Sequence, residues 1–291
     1  MMNKFIKNQK QTILVLDAAN LYQRCLHVVP YDPTDTSFVA YKSLFLSSLK
    51  RTIMQFSPDR VIMCKEGFRN WRKDYYPEYK ANRVEARAAS AINYDVFFKI
   101  NDEFINDFEQ IAKNFQFLQV EHCEADDLIA TIVKSQPNST VIVQSSDRDF
   151  YQLFKYPNYK QWDGQKRKYI EIANPDSYLT EKIILGDAGD NVPRISGLKY
   201  RQGPKFIEKN ILPDIEKWLT ETNMQSEWER NYTLISFDAI PENLTTEIVD
   251  KVNSWQRADF DKRGLYNFMI KHKLANIIDF IGDYSNAFSK F

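Results

Sequence analysis

Nine acidic residues stand where an α/β fold would gather them. Asp17 follows the apolar run TILVL (12–16), Glu66 lies just past RVIMC (60–64), and Asp147 and Asp149 follow TVIVQ (140–144). Glu124, Asp126 and Asp127 open a helical pattern after FQFLQV (115–120), and Asp187 and Asp190 sit in the glycine-rich stretch Gly186-Asp-Ala-Gly-Asp190-Asn191. Each alone has a bland reading, as a helix N-cap or as an acid favoured by a helix N-terminus. Together they say more, because Glu124/Asp127 and Asp187/Asp190 are i, i+3 pairs that share a helical face. Like charges at that density do not remain ionised without cations. Oxygen ligands without His or Cys select a hard ion, Mg²⁺ with Mn²⁺ as a substitute. Two such ions roughly 4 Å apart activate water, stabilise a leaving oxygen and clamp a phosphodiester. The chemistry implied is metal-dependent phosphoester hydrolysis.

The elements that must position these groups alternate along the chain. Strands are expected over 12–16, 60–64, 115–120 and 140–144, and helices over 18–27, 38–56, 95–114 and 124–134. Such alternation means a mostly parallel central sheet flanked by crossover helices, with ligands beyond the carboxyl ends of the strands. Residues 159–172 read as a hairpin about Asp163-Gly164, a type I′ signal. From about residue 178 the patterns are helical. This divides the chain into an α/β domain, 1–179, and a smaller C-terminal helical domain, 180–291. Cys25, Cys64 and Cys123 form no disulfide or metal pattern, which fits a reducing cytosol. No apolar run approaches a membrane span, and MMNKFIKNQKQ lacks the apolar region of a signal peptide, so a cytoplasmic protein is expected. The basic N-terminal segment and the terminal Phe288-Ser-Lys-Phe291 read as fraying ends or docking tails.

A basic side accompanies the acids. Residues 65–87 interleave Arg69, Arg72, Lys73, Lys80 and Arg83 with rings such as Phe68 and Tyr79. The bland reading is a solvated loop over packed aromatics. The functional reading is a single-strand site, with cations following phosphates and rings stacking on bases. Lys199, Arg201 and Lys205 add a second stripe suited to duplex phosphates.

In order, LVLDAANL, YYPEYKANR (75–83), EADD (124–127), SSDRDFYQL (145–153) and LGDAGDNVP (185–193) closely resemble the flap endonuclease and 5′→3′ exonuclease family, especially the bacteriophage 5′ nucleases. The resemblance spans nearly the whole chain. It implies a PIN-like 5′ nuclease fold and two metal sites. Glu66, Glu124, Asp126, Asp127 and Asp147 match the first, Asp149, Asp187 and Asp190 the second, and Asp17 bears on the first directly or through water. The family usually has Asp where Glu66 stands. Residues 66–95 match a helical arch or clamp through or against which a 5′ end passes, and Lys80 and Arg83 match its contacts to the scissile phosphate. After Asp190 the resemblance continues into a helix–turn–helix-like element, here lengthened by LKYRQ (198–202). The activity implied is 5′→3′ exonuclease and flap endonuclease hydrolysis of RNA or DNA annealed to DNA, removing primers and flaps in phage replication. The implied partners are branched or nicked DNA and RNA·DNA duplex, with a single-strand-binding protein and a sliding clamp, and the enzyme is expected to be a monomer. The alternatives are a PIN-like ribonuclease and a catalytically impaired structure-specific DNA-binding protein.

The formal net charge of zero, from 39 basic and 39 acidic residues, is consistent with this reading. With the nine candidate acids set aside, 30 acidic residues face 39 basic ones. A metal-binding acidic pocket is then set in a basic body, as a nucleic-acid enzyme requires.

Overall fold

The computed structural model describes residues 10–30, 32, 35, 37–196 and 203–291. In chain order its elements are β1 (Thr12–Asp17), α1 (Ala18–Val28), α2 (Val39–Phe56), β2 (Arg60–Cys64), α3 (Trp71–Tyr75), α4 (Asn82–Ala88), α5 (Tyr94–Ile111), β3 (Phe115–Leu118), α6 (Ala125–Ser135), β4 (Thr140–Gln144), β5 (Tyr159–Asp163), β6 (Lys168–Ile170), α7 (Pro175–Leu185), α8 (Pro204–Asn210), α9 (Ile215–Thr222), α10 (Gln225–Ile235), α11 (Glu242–Ser254), α12 (Lys262–Lys271), α13 (Ala275–Ile278) and α14 (Ile281–Phe288). The strands form one sheet in the order β3-β2-β1-β4-β5-β6, parallel throughout except for β6 against β5. The mostly parallel α/β class is as expected.

Successive residues of a strand face opposite sides of the sheet. In β1, Ile13 and Val15 join a core with α6 and α11, while Leu14 and Leu16 join a second core with α1, α2, α5 and the C-terminal helices. Both faces are covered, so the inner strands read as unbroken apolar runs rather than as alternation. β3 is shorter than expected, because the Val120 carbonyl turns to accept from Cys123 N at 3.2 Å. Helix α5 begins under an Asn93 cap, whose side chain accepts from Val96 N, and ends at Ile111.

The hairpin is present but its turn differs from the expected type I′. Asp163 pairs with Lys168, so residues 164–167 form the loop. The Asp163 carboxylate accepts from Gln165 N and Lys166 N at 2.9 and 3.0 Å, and the left-handed residue is Arg167, not Gly164. A side-chain-capped turn replaces the two-residue one.

The boundary expected between residues 179 and 180 falls inside α7. Helices α7, α8 and α10 carry small cores of their own, with Ile183, Val192 and Leu234 in one and Ile184, Ile207 and Ile211 in another. Beyond them the chain returns to the sheet layers. Leu244, Ile248 and Val252 of α11 pack with α6, and Phe260, Leu265 and Phe288 pack with α5. The C-terminus is therefore neither frayed nor a free tail: Phe291 is 5% exposed, and its ring meets Phe115 edge-on at 4.9 Å. The Asn114 amide donates to the carbonyls of Phe288 and Phe291. The N-terminal basic segment lies outside the described residues up to Gln9. Among the described residues, no helix is long and apolar enough to cross a membrane.

Candidate metal centre

Parallel pairing delivers the acids to one end of the sheet. β1 closes on Asp17, which pairs in register with Cys64 of β2, two residues before Glu66. β4 lies on the other side of β1, with Leu16 against Gln144, so Asp147 follows close to Asp17. Asp17 does two jobs. One carboxylate oxygen accepts from Asn20 N at 2.9 Å and caps α1, and the other accepts from the Ser145 hydroxyl at 2.8 Å. Helix α6 starts against Glu66, whose carboxylate accepts from Ala125 N at 3.3 Å. Its first turn supplies Glu124 and Asp126.

The second group comes from chain after β4 and α7. Asp149, Asp187 and Asp190 each offer a carboxylate oxygen, all within 4.8 Å of one another. Among the described residues this is the one trio of potential ligands so close. The Asp187 loop is made rigid by its own hydrogen bonds. Asp187 and Val192 exchange backbone bonds of 2.9 and 2.8 Å, and the Asp187 side chain accepts from Gly189 N. Gly186 has φ +68°, and a Cβ there would meet the Val192 carbonyl at 2.4 Å, so only glycine fits.

Crowding sets the ionisation. Burial, helped by the Asp147 charge and opposed by the bonds from Asn20 N and the Ser145 hydroxyl, leaves Asp17 pushed up to about 6. Glu66 keeps an exposed edge, but the protein enclosing its carboxyl, then Glu124, pushes it up to about 7. Asp126 is raised well above the usual carboxylate range by burial and by Asp147 and Asp17, and Asp147 is raised by burial and Asp190. Two acids go the other way. Burial opposes ionisation of Glu124, but Lys80 and Arg72 outweigh it, and Lys182 does the same for Asp187.

Those cations are part of the centre. Lys80 Nζ lies 2.5 Å from Glu124 and 3.5 Å from Asp190, and Arg83 lies 2.6 Å from Asp190. Lys80 N donates to the Asp190 carbonyl, and Asn191 donates to the Glu78 carbonyl. The YYPEYKANR and LGDAGDNVP segments are thus docked on each other across the site. Lys182 of α7 pairs with Asp149 and, at 2.9 Å, with Asp187. Sequence reasoning missed Lys182. Its only signal is a lone lysine before an apolar Ile-Ile-Leu end of helix, one turn ahead of Gly186-Asp187.

Three expected roles change. Asp127, taken as a ligand, is fully buried. Arg72 holds it at 2.8 Å, Trp71 Nε1 donates to it at 3.1 Å, and it accepts from Glu124 N at 3.0 Å. One oxygen accepts from Trp71, Arg72 and Glu124 N and the other faces the Arg72 guanidinium, so Asp127 braces the start of α6 against α3. Arg72, taken as a nucleic-acid contact, is 2% exposed and also binds Glu124 and the Leu234 carbonyl. It ties α3, α6 and α10 together. Tyr79, another expected contact, is 3% exposed, and its hydroxyl reaches Glu124 at 3.0 Å and Asp190 at 3.2 Å. Arg69, Lys73 and Lys205 are exposed, whereas Lys199 and Arg201 lie outside the described residues.

Residues 12–183 match the 5′-3′ exonuclease N-terminal resolvase-like domain, and residues 174–284 match the C-terminal domain of T4 ribonuclease H. The ribonuclease H of enterobacteria phage T4 is 27% identical, over 96% of this chain and 97% of its own length. The flap endonuclease Xni of Shewanella oneidensis is 28% identical over 70% and 72%. Among solved structures, bacteriophage T5 5′-exonuclease with bound zinc superposes with a TM-score of 0.64 at 21% identity, covering 84% of this chain and all of that one, a likeness of fold. The ordered carboxylates, the Gly186 loop and the domain matches agree: the chain belongs to the 5′-3′ exonuclease family, with a C-terminal domain of the T4 ribonuclease H type.

Proposed function

We propose that this is a 5′ nuclease dependent on Mg²⁺ or Mn²⁺, cutting phosphodiesters near the 5′ end of RNA or DNA annealed to DNA. It would remove RNA primers and flaps in phage DNA replication. The observation that carries the reading is the convergence of the Asp149/Asp187/Asp190 trio with the strand-end acids, Lys80 bridging Glu124 and Asp190 while Arg83 and Lys182 pair with the trio.

The all-oxygen donor set and the upward-shifted carboxyls fit hard divalent ions. Asp149, Asp187 and Asp190 would hold one, and Glu66, Glu124, Asp126 and Asp147, with Asp17 behind, the other. Bound there, the ions supply activation of water and charge neutralisation at the leaving oxygen. The chain's own residues do the rest. Lys80 and Arg83 now pair with acids, and exchange those partners for the scissile phosphate, whose developing charge they stabilise. Tyr79 bridges Glu124 and Asp190 and keeps their spacing. Arg72 and Asp127 hold the start of α6 from beneath. No thiol nucleophile competes, since all three cysteines are buried and burial pushes Cys25 up to about 11 and Cys123 up to about 12. Lys205, exposed on α8, suits a downstream duplex. On the same reading the enzyme works as a monomer in the host cytoplasm, alongside a single-strand-binding protein and a sliding clamp.

One 5′-labelled flap and one RNA·DNA duplex, incubated with Mg²⁺ and with chelator, test this. Short 5′-labelled products with Mg²⁺ alone support it. Binding without cleavage favours a DNA-binding protein instead, and cleavage in chelator defeats the metal assignment.

A further inference from the structure

A cavity of about 480 Å³ opens beside the centre on the arch side, bounded by the 66–73 loop, α4 and the start of α5. Glu66, Glu124 and Lys80 form its inner wall. Phe68, whose ring is 87% exposed, stands on its rim. It is the most exposed large apolar side chain among the described residues, and Val84, 71% exposed, lines the same cavity, so the two form an apolar rim rather than one stray ring. Phe68 is not a loose loop residue. Gly67 N donates to the Cys123 carbonyl at 2.8 Å, Lys65 N to Leu118 and Trp71 N to His122. A Cβ at position 67 would meet the Val120 carbonyl at 2.4 Å. The backbone is pinned on both sides of residue 68.

Away from the inner wall, the charged residues lining the cavity are cations. Lys73, Arg83 and Arg87 line the same cavity, and Lys73 and Arg87 have no carboxylate within 4.0 Å among the described residues. Arg87 instead lies over the Phe98 ring at 5.2 Å. A cation-lined groove with a ring on a pinned backbone, without a ring partner among the described residues, matches the needs of a single nucleic-acid strand. Phosphates follow the cations, and a base stacks on the ring without regard to its identity. An acidic peptide would use the cations but not the ring, and an apolar ligand the reverse.

We propose that Phe68 is a base-stacking residue that seats one nucleotide of the single-stranded 5′ segment next to the scissile phosphate, and so sets where the strand is cut. This rests on the 5′ nuclease reading. The test therefore has a binding arm and a cleavage arm, both with the full chain. In the binding arm, flap substrates carry 2-aminopurine at successive single-stranded positions, with Ca²⁺ in place of Mg²⁺. The proposal expects quenching at one position. Phe68→Ala abolishes it and Phe68→Trp retains it. In the cleavage arm, Phe68→Ala raises KM on flaps on the order of tenfold and blurs the cut position. The penalty vanishes when that nucleotide is abasic or when the substrate is a nick without a tail. Unchanged quenching in Phe68→Ala, or an equal penalty on abasic and intact flaps, overturns the stacking role. Failure of the wild type to cut any flap defeats the 5′ nuclease reading, while the quenching arm still decides whether Phe68 stacks.

Discussion

Asp126 and Asp127 are neighbours with opposite duties. Asp127 is neutralised by Arg72, and removing it leaves a buried guanidinium short of a partner. Breaking such a pair costs about 3–5 kcal/mol. Asp127→Ala should lower unfolding free energy in urea by about that much. Asp126 is half-buried, its carboxyl enclosed beside Asp147 and Asp17 and held well above its ordinary range. Asp126→Asn should raise the stability of the metal-free protein at pH 8 while removing activity. Equal destabilisation by both substitutions would contradict this division. Lys80→Ala and Arg83→Ala are expected to slow single-turnover cleavage by about 10²–10³-fold each, the cost of losing one donor to a transition-state oxygen. Far-ultraviolet circular dichroism should be unaltered, and unchanged rates would remove both residues from the mechanism.

At the scale of elements, the strands were readable because two-sided burial makes them continuous apolar runs, and the acids were readable because parallel strands end together. What could not be read was direction. Asp126 and Asp127 are adjacent in sequence, and only the packing of Arg72 under α6 decides which faces the site. Phe288 and Phe291 looked like a tail, because nothing local shows that Phe115 and Asn114, far away in sequence, receive them. The turn after Asp163 followed side-chain capping rather than the dipeptide rule. The aromatic contact of the C-terminus has a measurable consequence: Phe291→Ala should cost about 3 kcal/mol, in the range for a large ring removed from a core. A loss below about 0.5 kcal/mol would mean that the C-terminus does not pack on α5 and β3. The Asp187 loop is the other sensitive element. Gly186→Ala forces a side chain into left-handed backbone against the Val192 carbonyl, and should abolish metal binding by displacing Asp187 and Asp190.

For the molecule as a whole, the metal-free centre is a store of electrostatic strain. Asp17 and Glu66 titrate at about 6 and about 7 in the folded chain, against about 4 when unfolded. A raised folded value means stability that is full below about pH 4 and is lost as pH climbs through 6 to 7. Glu124 and Asp187, held low by Lys80 and Lys182, contribute stability that is lost only at more acidic pH. The metal-free protein should therefore lose Tm between pH 5 and pH 8. Mg²⁺ should restore it at pH 8 and do little at pH 5, where protons already occupy the acids; a Mg²⁺ effect independent of pH would contradict the strained centre. The zero net charge has the same origin, a basic body around an acidic pocket. The most direct measurement is the single-turnover rate on a 5′-labelled flap as Mg²⁺ is titrated, for the wild type, Asp147→Asn and Asp187→Asn. A two-site 5′ nuclease gives a rate that rises with Mg²⁺, vanishes in chelator and falls steeply in each variant, whereas wild-type cleavage undiminished by chelator, or variants as fast as the wild type, would contradict it.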